Sequence, residues 1–306
     1  MKLKKLDFLL LLIISIFATK SFSFNIDEVA ENIYVHYGKQ QDANPKNFGD
    51  IANIGFIIGK KSILVIDTGG SPKIGELLKQ KIKQISDLPI SHVVITHSHP
   101  DHYFGTNIFI NNKTLIIGHE KLQRSLDNNF EFYKSLQFTN TKDKSIKEFK
   151  RFKVTKKVSI NKVLSIDLGE RIVDIRAWQS GHTDNDLSIY DKNTKTFWSE
   201  NIFVKRIPSI RASVKGWKKN LEITQDIDIE LIIPGHGPVK RKKEAITPML
   251  NYFNRLINQI RNYHQNNASL NEALSGISNE NKESWLLYNI YHPSNVTKVY
   301  TELEWE

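Results

Sequence analysis

Thr96-His97-Ser98-His99-Pro100-Asp101-His102 packs three histidines and one aspartate into six positions, directly after an apolar strand predicted over His92 to Thr96. At the end of a strand alternate side chains point the same way, so His97 and His99 can present their imidazoles to one metal ion. A turn at Pro100 then swings Asp101 and His102 toward a second position. Two more histidines sit in the same context, each just beyond a predicted strand and next to glycine: Gly181-His182-Thr183 and Pro234-Gly235-His236-Gly237-Pro238. The glycines let backbone approach a crowded site and the prolines limit the freedom of the loop. Five of the ten histidines thereby converge on one site.

Working outward, the chain alternates short β-branched runs with helical patterns. Ile51 to Ile58 and Ser62 to Ile66 read as strands around the turn Gly59-Lys60-Lys61. Pro72 opens a helix with Ile74, Leu77, Leu78, Ile82 and Ile85 on one face. A strand at Leu115 to Ile117 leads into a helix from about Glu120 to Leu136. Lys142 to Lys157 is Lys-rich, weakly patterned and reads as a loop or a boundary between halves. The second half repeats the rhythm, with strands near Val163 to Ile166, Ile172 to Trp178, Leu187 to Tyr190, Thr196 to Trp198 and Leu231 to Ile233, and a helix around Val214 to Thr224. A long amphipathic helix follows, marked by Ile246, Met249, Leu250, Phe253, Leu256, Ile257, Ile260 and Tyr263. Trp285 to Glu306 is too mixed to place. The rhythm implies an α/β sandwich with buried sheets.

Composition sharpens the chemistry. The 306 residues contain no Cys, which excludes disulfides, Cys-ligated metals and a thiol nucleophile. Residues 1–23 read as a secretory signal, with Lys2, Lys4 and Lys5 ahead of the apolar run Phe8 to Ala18, and Ser21 and Ser23 before Phe24. An uncleaved anchor is the competing reading, but the run is about half the ~20 residues a membrane span needs. The mature chain is then residues 24–306, periplasmic or secreted, with no stable membrane span. The formal net charge of +10 falls to +7 once the four Lys and one Asp of the signal are removed. That excess is spread over the surface, with one cluster at Lys240 to Lys243, and export argues against a nucleic-acid partner.

These residues resemble the signature of the metallo-β-lactamase superfamily, His-x-His-x-Asp-His followed by distant His, acidic and Gly-His loops, over roughly residues 28 to 240. The resemblance implies a four-layer αββα sandwich with a C-terminal helical extension from about residue 242. It also implies two zinc ions, one on His97, His99 and His182 and the other on Asp101, His102 and His236. Asp67, in Val65-Ile66-Asp67-Thr68-Gly69, matches the family's early aspartate, which supports the ligands from behind. Within the superfamily, Gly49 to Gly59, Asp87 to His92 and the terminal Glu302-Leu303-Glu304-Trp305-Glu306 are similar to the quinoprotein relay system zinc metallohydrolases. That subgroup implies a quinoprotein dehydrogenase as partner. One departure stands out. Many members carry a Gly-Asp pair whose Asp bridges the metals, and Ser199-Glu200 occupies that place here. Glu200 can still ligate, but its extra methylene shifts the metal separation or forces a different rotamer.

The remaining histidines read as structure. His92 starts the strand feeding the metal loop and His119 sits at a helix start, whereas His36, His264 and His292 lack a supporting context. Asp184 and Asp186 shape the turn after His182, and Trp178, Trp198 and Trp217 read as core or pocket wall. The loop Gly38 to Asp50 is placed to lie over the site.

Two cations a few ångströms apart would lower the pKa of a bridging water from 15.7 toward ~7. With Asp101 orienting that water, the expected reaction is hydrolysis of an ester, thioester, lactone or amide in a small-molecule substrate. β-Lactam hydrolysis is a less favoured member of that set. An iron-dependent oxidoreductase of the sulfur dioxygenase type and a non-catalytic quinoprotein maturation factor are the alternatives, since His and carboxylate ligands also suit iron.

Overall fold

The computed structural model describes residues 23–160, 162–277 and 282–306, so the expected export signal lies outside the described residues apart from Ser23. The first sheet holds β1 (Asp27–Ala30), β2 (Ile33–His36), β3 (Ile54–Ile58), β4 (Ile63–Ile66), β5 (Ile90–Val94), β6 (Leu115–His119) and β7 (Lys156–Val158), side by side in that order. Pairing is antiparallel from β1 to β4 and parallel from β4 to β7. The second sheet holds β8 (Val163–Asp167), β9 (Ile172–Ala177), β10 (Leu187–Asp191), β11 (Thr196–Phe203) and β12 (Leu231–His236), antiparallel except for the parallel β11–β12 pair.

Seven helices flank the sheets: α1 (Pro72–Ile85), α2 (Pro100–Tyr103), α3 (Leu122–Thr141), α4 (Val214–Gln225), α5 (Lys242–Gln265), α6 (Leu270–Gly276) and α7 (Tyr288–Leu303) among the described residues. Side-chain alternation sorts β4 between two cores. Leu64 and Ile66 join Val94, Ile175, Leu187 and Trp198 between the sheets, whereas Ile63 and Val65 face Ile74, Leu78 and Ile82 of α1 and Leu122 and Leu126 of α3. Burial on both faces explains why this strand reads as an unbroken apolar run. Phe197 and Ile232, on the outer face of the second sheet, pack with Trp217, Phe253 and Val299 of α4, α5 and α7. The layers are therefore helix, sheet, sheet, helix, the αββα sandwich that the resemblance implies.

Ser71 fixes the start of α1 by accepting the Ile74 N–H at 3.3 Å, with Pro72 at the first helical position. The C-terminal residues tie the outer helices together. Glu302 of α7 accepts from Ser213 Oγ at 2.6 Å and from the Val214 N–H at 2.7 Å, a carboxylate placed at the positive end of α4. Glu306 pairs with Arg261 of α5 and Lys215 of α4. None of the described helices is long and apolar enough to cross a membrane.

Several segments differ from the sequence reading. Residues 24–36, given no element, supply β1 and β2. Ile51 to Asn53 leave the predicted strand because Asn53 is drawn to the second sheet, its amide donating to the Pro234 and Gly237 carbonyls at 2.8 Å each. Lys142 to Lys157, expected as a loop or a boundary, is a loop with one short helical turn, anchored in the core. It buries Ile146, Phe149, Phe152 and Val154 in the core under α1 and α3, then enters β7. Within Trp285 to Glu306, Tyr288–Leu303 form α7, which buries Val296, Val299 and Leu303 against α5.

Candidate metal centre

The C-terminal ends of β4, β5, β9, β11 and β12 meet at one edge of the sandwich, where loops carry their side chains into a common cleft. Thr96 stitches the two sheets together there, its carbonyl accepting the Leu187 N–H at 2.9 Å. Asp67, at the end of β4, has a left-handed backbone with φ of 53°, which turns its carboxylate back under the loop. It accepts the Thr96 N–H at 2.9 Å, the Thr96 hydroxyl at 2.6 Å and the His102 Nδ1–H at 2.7 Å. At the end of β12 only glycine fits: a Cβ on Gly235 would stand 2.2 Å from Glu200 Oε2, and Gly237, at φ of 98°, lies against the Val204 carbonyl.

Three imidazoles form the first group. His97 Nε2 and His182 Nε2 lie 2.9 and 3.0 Å from His99 Nδ1. Their outer nitrogens assign the tautomers. His182 Nδ1 meets the Ser209 carbonyl at 2.9 Å and must donate to it. His97 Nδ1 lies 3.2 Å from Thr96 Oγ1, whose own proton goes to Asp67. Both Nε2 atoms thus bring lone pairs to the same point, and one Nδ1–H on His99 could serve only one of them well. A cation serves all three, and tetrahedral zinc with Zn–N of about 2.0–2.1 Å sets ligand nitrogens about 3.3–3.4 Å apart, within a small adjustment of these spacings. The side chains therefore fit a divalent ion.

Asp101, His102 and His236 form the second group, with Asp101 Oδ2 at 3.4 Å from His102 Nε2 and 3.6 Å from His236 Nε2. His236 Nδ1 donates to the Ile51 carbonyl at 2.8 Å, which frees Nε2. Phe203 packs against both His182 and His236 and separates the groups from the core behind. Glu200 falls in a third group with Asp67 and His102. Its Oε2 approaches the Nδ1 edge of His102 at 3.3 Å, while Oε1 accepts the Trp198 indole N–H at 2.8 Å. Oε2 is buried without a hydrogen-bond partner. The structure thus brings six of the seven expected ligands into two triads and sets the seventh, Glu200, beside His102.

Burial dominates the electrostatics. It holds His97, His182 and His236 well below the ordinary imidazole range and His99 at about 4, so all four are neutral donors at pH 7. Burial also opposes charge on His102, but Asp101, Glu200 and Asp67 outweigh it and lift that group well above its usual value. Burial pushes Glu200 up to about 8, with Asp67 and Asp101 adding to the effect. His102 beside it outweighs burial and holds the Asp101 carboxyl well below the ordinary carboxylate range.

The other residues singled out earlier serve structure. His36 sits between Asp50 and the Asn25 carbonyl at 2.7 and 2.6 Å. His119 accepts the Lys121 N–H, and Asp186 accepts the Thr183 N–H and hydroxyl, closing the turn after His182. Trp178 and Trp217 are buried in the outer core, the Trp217 ring packing on His182.

A cavity of about 580 Å³ opens over both triads. Its lining includes His99, Asp101, His182 and His236 together with Asp42, Phe132, Leu136, Arg206, Arg211 and Tyr291. Asp42 belongs to the loop expected over the site. Arg206, Arg211 and Tyr291 escaped the sequence reading. The only local signal was the position of Arg206 just past a strand end, and nothing nearby announces Tyr291.

The profile described as the metallo-beta-lactamase superfamily matches residues 48–236. No curated protein matches the chain. Among solved structures, a metallo-beta-lactamase from Pontibacter korlensis is 16% identical with a TM-score of 0.59, covering 76% of this chain and 99% of that one. TMB-1 is 15% identical with a TM-score of 0.59, over 76% and 97%. The sec-alkylsulfatase Pisa1 from Pseudomonas sp. is 17% identical with a TM-score of 0.70, over 92% of this chain but 51% of that one. At these identities the likeness is one of fold.

Proposed function

The chain belongs to the metallo-β-lactamase superfamily, and from that membership we propose that it is an exported hydrolase holding two zinc ions and acting on an ester, thioester, lactone or amide. The observation that carries the reading is the convergence of His97 Nε2, His99 Nδ1 and His182 Nε2 beside the Asp101, His102 and His236 group, at the floor of an open cavity. His97, His99 and His182 would hold one ion and Asp101, His102 and His236 the other. The unpartnered Oε2 supports Glu200 as a further ligand. Divalent ions bound there polarise a carbonyl oxygen and make water acidic enough to attack near neutral pH.

The chain's own groups do the rest. Asp101 is the ionised carboxylate at the cavity floor, placed to accept a hydrogen bond from the attacking water and fix its direction. Asp67 holds the His102 ring from behind. Phe132, Leu136 and Phe203 supply apolar wall for the body of the substrate. No serine or cysteine nucleophile is called for, consistent with a chain without Cys. The signal-like residues 1–23 support export, and the similarity at Gly49 to Gly59 and Glu302 to Glu306 supports a quinoprotein dehydrogenase as the physiological partner.

The test is elemental analysis of protein purified from the compartment to which it is exported, followed by a screen of the metal-loaded enzyme. Two zinc ions per chain with turnover of a lactone, thioester, ester or β-lactam supports the proposal. Alkyl sulfates join the panel because the alkylsulfatase alignment covers 92% of this chain. One iron per chain would sink the reading and favour the oxidoreductase. Full zinc with no turnover and co-purification of a dehydrogenase would leave a maturation factor.

A further inference from the structure

We propose that a second cleft, between α5 and the segment Ser284-Trp285, is a binding site for an amphipathic organic anion, an acyl or aryl chain that ends in a carboxylate or a phosphate; the site stands apart from the hydrolase reading above. The cleft measures about 810 Å³, against about 580 Å³ over the triads, and the two cavities have no lining residue in common. That volume is within the roughly 300–1,000 Å³ of small-ligand sites. Val204, Pro248, Tyr252 and Trp285 supply apolar surface for the body of the ligand.

The rim is cationic, and the protein does not answer its charge. Lys243, Thr247, Asn251 and Arg255 recur every four residues along α5, so the helix turns one stripe of side chains toward the cleft. The basic cluster at Lys240 to Lys243 divides by role. Lys242 donates to the Gln225 and Ile227 carbonyls at 2.8 and 2.6 Å, at the end of α4, and Lys240 pairs with Glu244 at 3.0 Å. Glu244 is the acidic member of the lining, so it is already engaged. Arg241, Lys243 and Arg255 line the same cleft and have no ion pair among the described residues.

Arg255 is the centre of the site. It is half-buried, and the cluster around Tyr252 holds donors that nothing satisfies. Tyr252 Oη accepts from the Asn295 amide at 2.9 Å and donates to His292 Nδ1 at 3.0 Å, which leaves the His292 proton on Nε2. That N–H and the Tyr288 hydroxyl are buried without a partner. Burial, and after it the Arg255 charge, hold the His292 imidazole down at about 4, so the guanidinium stands close to a neutral ring. Unserved donors beside an unpaired guanidinium are complementary to an anion, and the planar fork of Arg255 suits carboxylate or phosphate oxygens two at a time. A neutral ligand would leave the cations unanswered, and a bare inorganic anion would leave Tyr252 and Trp285 unused, so the occupant carries both a charge and an apolar body. Most of a small ligand's surface can be buried in such a volume, which favours a small molecule over a protein segment.

Calorimetric titration of the metal-loaded full chain with octanoate, octyl phosphate and neutral octanol at constant ionic strength tests this without turnover. The expected result is that one or both anions bind about tenfold or more tightly than octanol, the stronger identifying the headgroup. In Arg255→Gln the dissociation constant of that anion rises about 10- to 100-fold. Lys243→Gln, on the exposed rim, raises it about two- to fivefold. Arg255→Lys keeps the charge and shows a smaller but clear weakening because the fork is lost, and an unchanged melting temperature in this variant shows that the fold is intact. His99→Ala, which disables the first triad, leaves the affinity within about twofold of the parent. Loss of binding in His99→Ala with none in Arg255→Gln places the anion on the metal ions and overturns the proposal. Octanol bound as tightly as the anions, or affinities within about twofold of the parent in both Arg255 variants, does the same. Binding of hexaglutamate but of neither small anion also overturns it and makes the cleft a docking surface for an acidic protein segment.

Discussion

Asp67→Asn isolates what orients His102. Asparagine tolerates the left-handed backbone at this position and nearly matches aspartate in volume, so the fold is spared. The hydrogen bonds are not. Oδ2 accepts from both the Thr96 hydroxyl and His102 Nδ1, and Oδ1 from the Thr96 N–H. If the new amide nitrogen replaces Oδ2, the Thr96 hydroxyl can rotate, but His102 faces a donor and must move its proton to Nε2, the nitrogen turned toward Asp101. If the amide flips, the Thr96 N–H is stranded instead. One charge-assisted hydrogen bond, worth about 1.5–3 kcal/mol, is lost either way. That range agrees with the 10- to 100-fold loss of metal affinity, about 1.4–2.8 kcal/mol, typical when the partner of a ligating histidine is removed. Titration against a chromogenic chelator should therefore show one ion bound about 10- to 100-fold more weakly and the ion at His97, His99 and His182 nearly unchanged. Two ions bound within about threefold of the parent affinity would refute the assignment of Nε2 as the donor held ready by Asp67.

Glu200→Gln removes the charge of a carboxylate oxygen that has no partner in the protein, and elemental analysis should show mainly one ion lost; full occupancy would take Glu200 off the ligand set. His292, buried against Tyr252, titrates at about 4 rather than 6.5 because of burial and, less, Arg255. Its folded value lies below its unfolded one, so the unfolded chain binds the extra proton. Stability is therefore lost as pH falls from about 6.5 toward 4. Chemical denaturation of His292→Gln across that window should give a shallower acid loss than the parent, and parallel curves would contradict it. Asn295 joins α7 to the loop beyond Arg206, accepting the Ile210 N–H at 2.9 Å and donating to the Pro208 carbonyl at 2.7 Å. Asn295→Ala strands a buried N–H and should cost about 1–3 kcal/mol in urea unfolding; a change near zero would show that the loop is held by other means.

How much of this was legible depended on how far apart the interacting residues lie. The candidate ligand loop was readable because its four candidate ligands, His97, His99, Asp101 and His102, fall within six residues after an apolar strand. The inner strands were readable because burial on both faces makes them apolar throughout, as in Ile63 to Ile66. β1 was not, since Asp27 to Ala30 lie at the sheet edge, exposed or half-buried, and β2 was missed although it buries Ile33, Val35 and His36. Asn53 looked like strand and became a bend because its partners, Pro234 and Gly237, are about 180 positions away. Glu200 was found by its place past a strand, but its side chain's approach to His102 is a matter of packing that no local pattern encodes. The same holds for Arg206, whose hydroxyl partner on Tyr291 lies 85 positions away.

Arg206 is held from far along the chain: Leu286 hydrogen-bonds the backbone on either side of it, and the Tyr291 hydroxyl accepts from its Nη2. Every proposed metal ligand has been synthesised by residue 236, yet the groups that hold Arg206, Leu286 and Tyr291, come 50 and 55 positions later. A growing chain would therefore hold its candidate ligands before the residues that fix Arg206. A chain ending before α7 would keep all seven candidate ligands yet lack the Tyr291 hydroxyl to which Arg206 Nη2 donates.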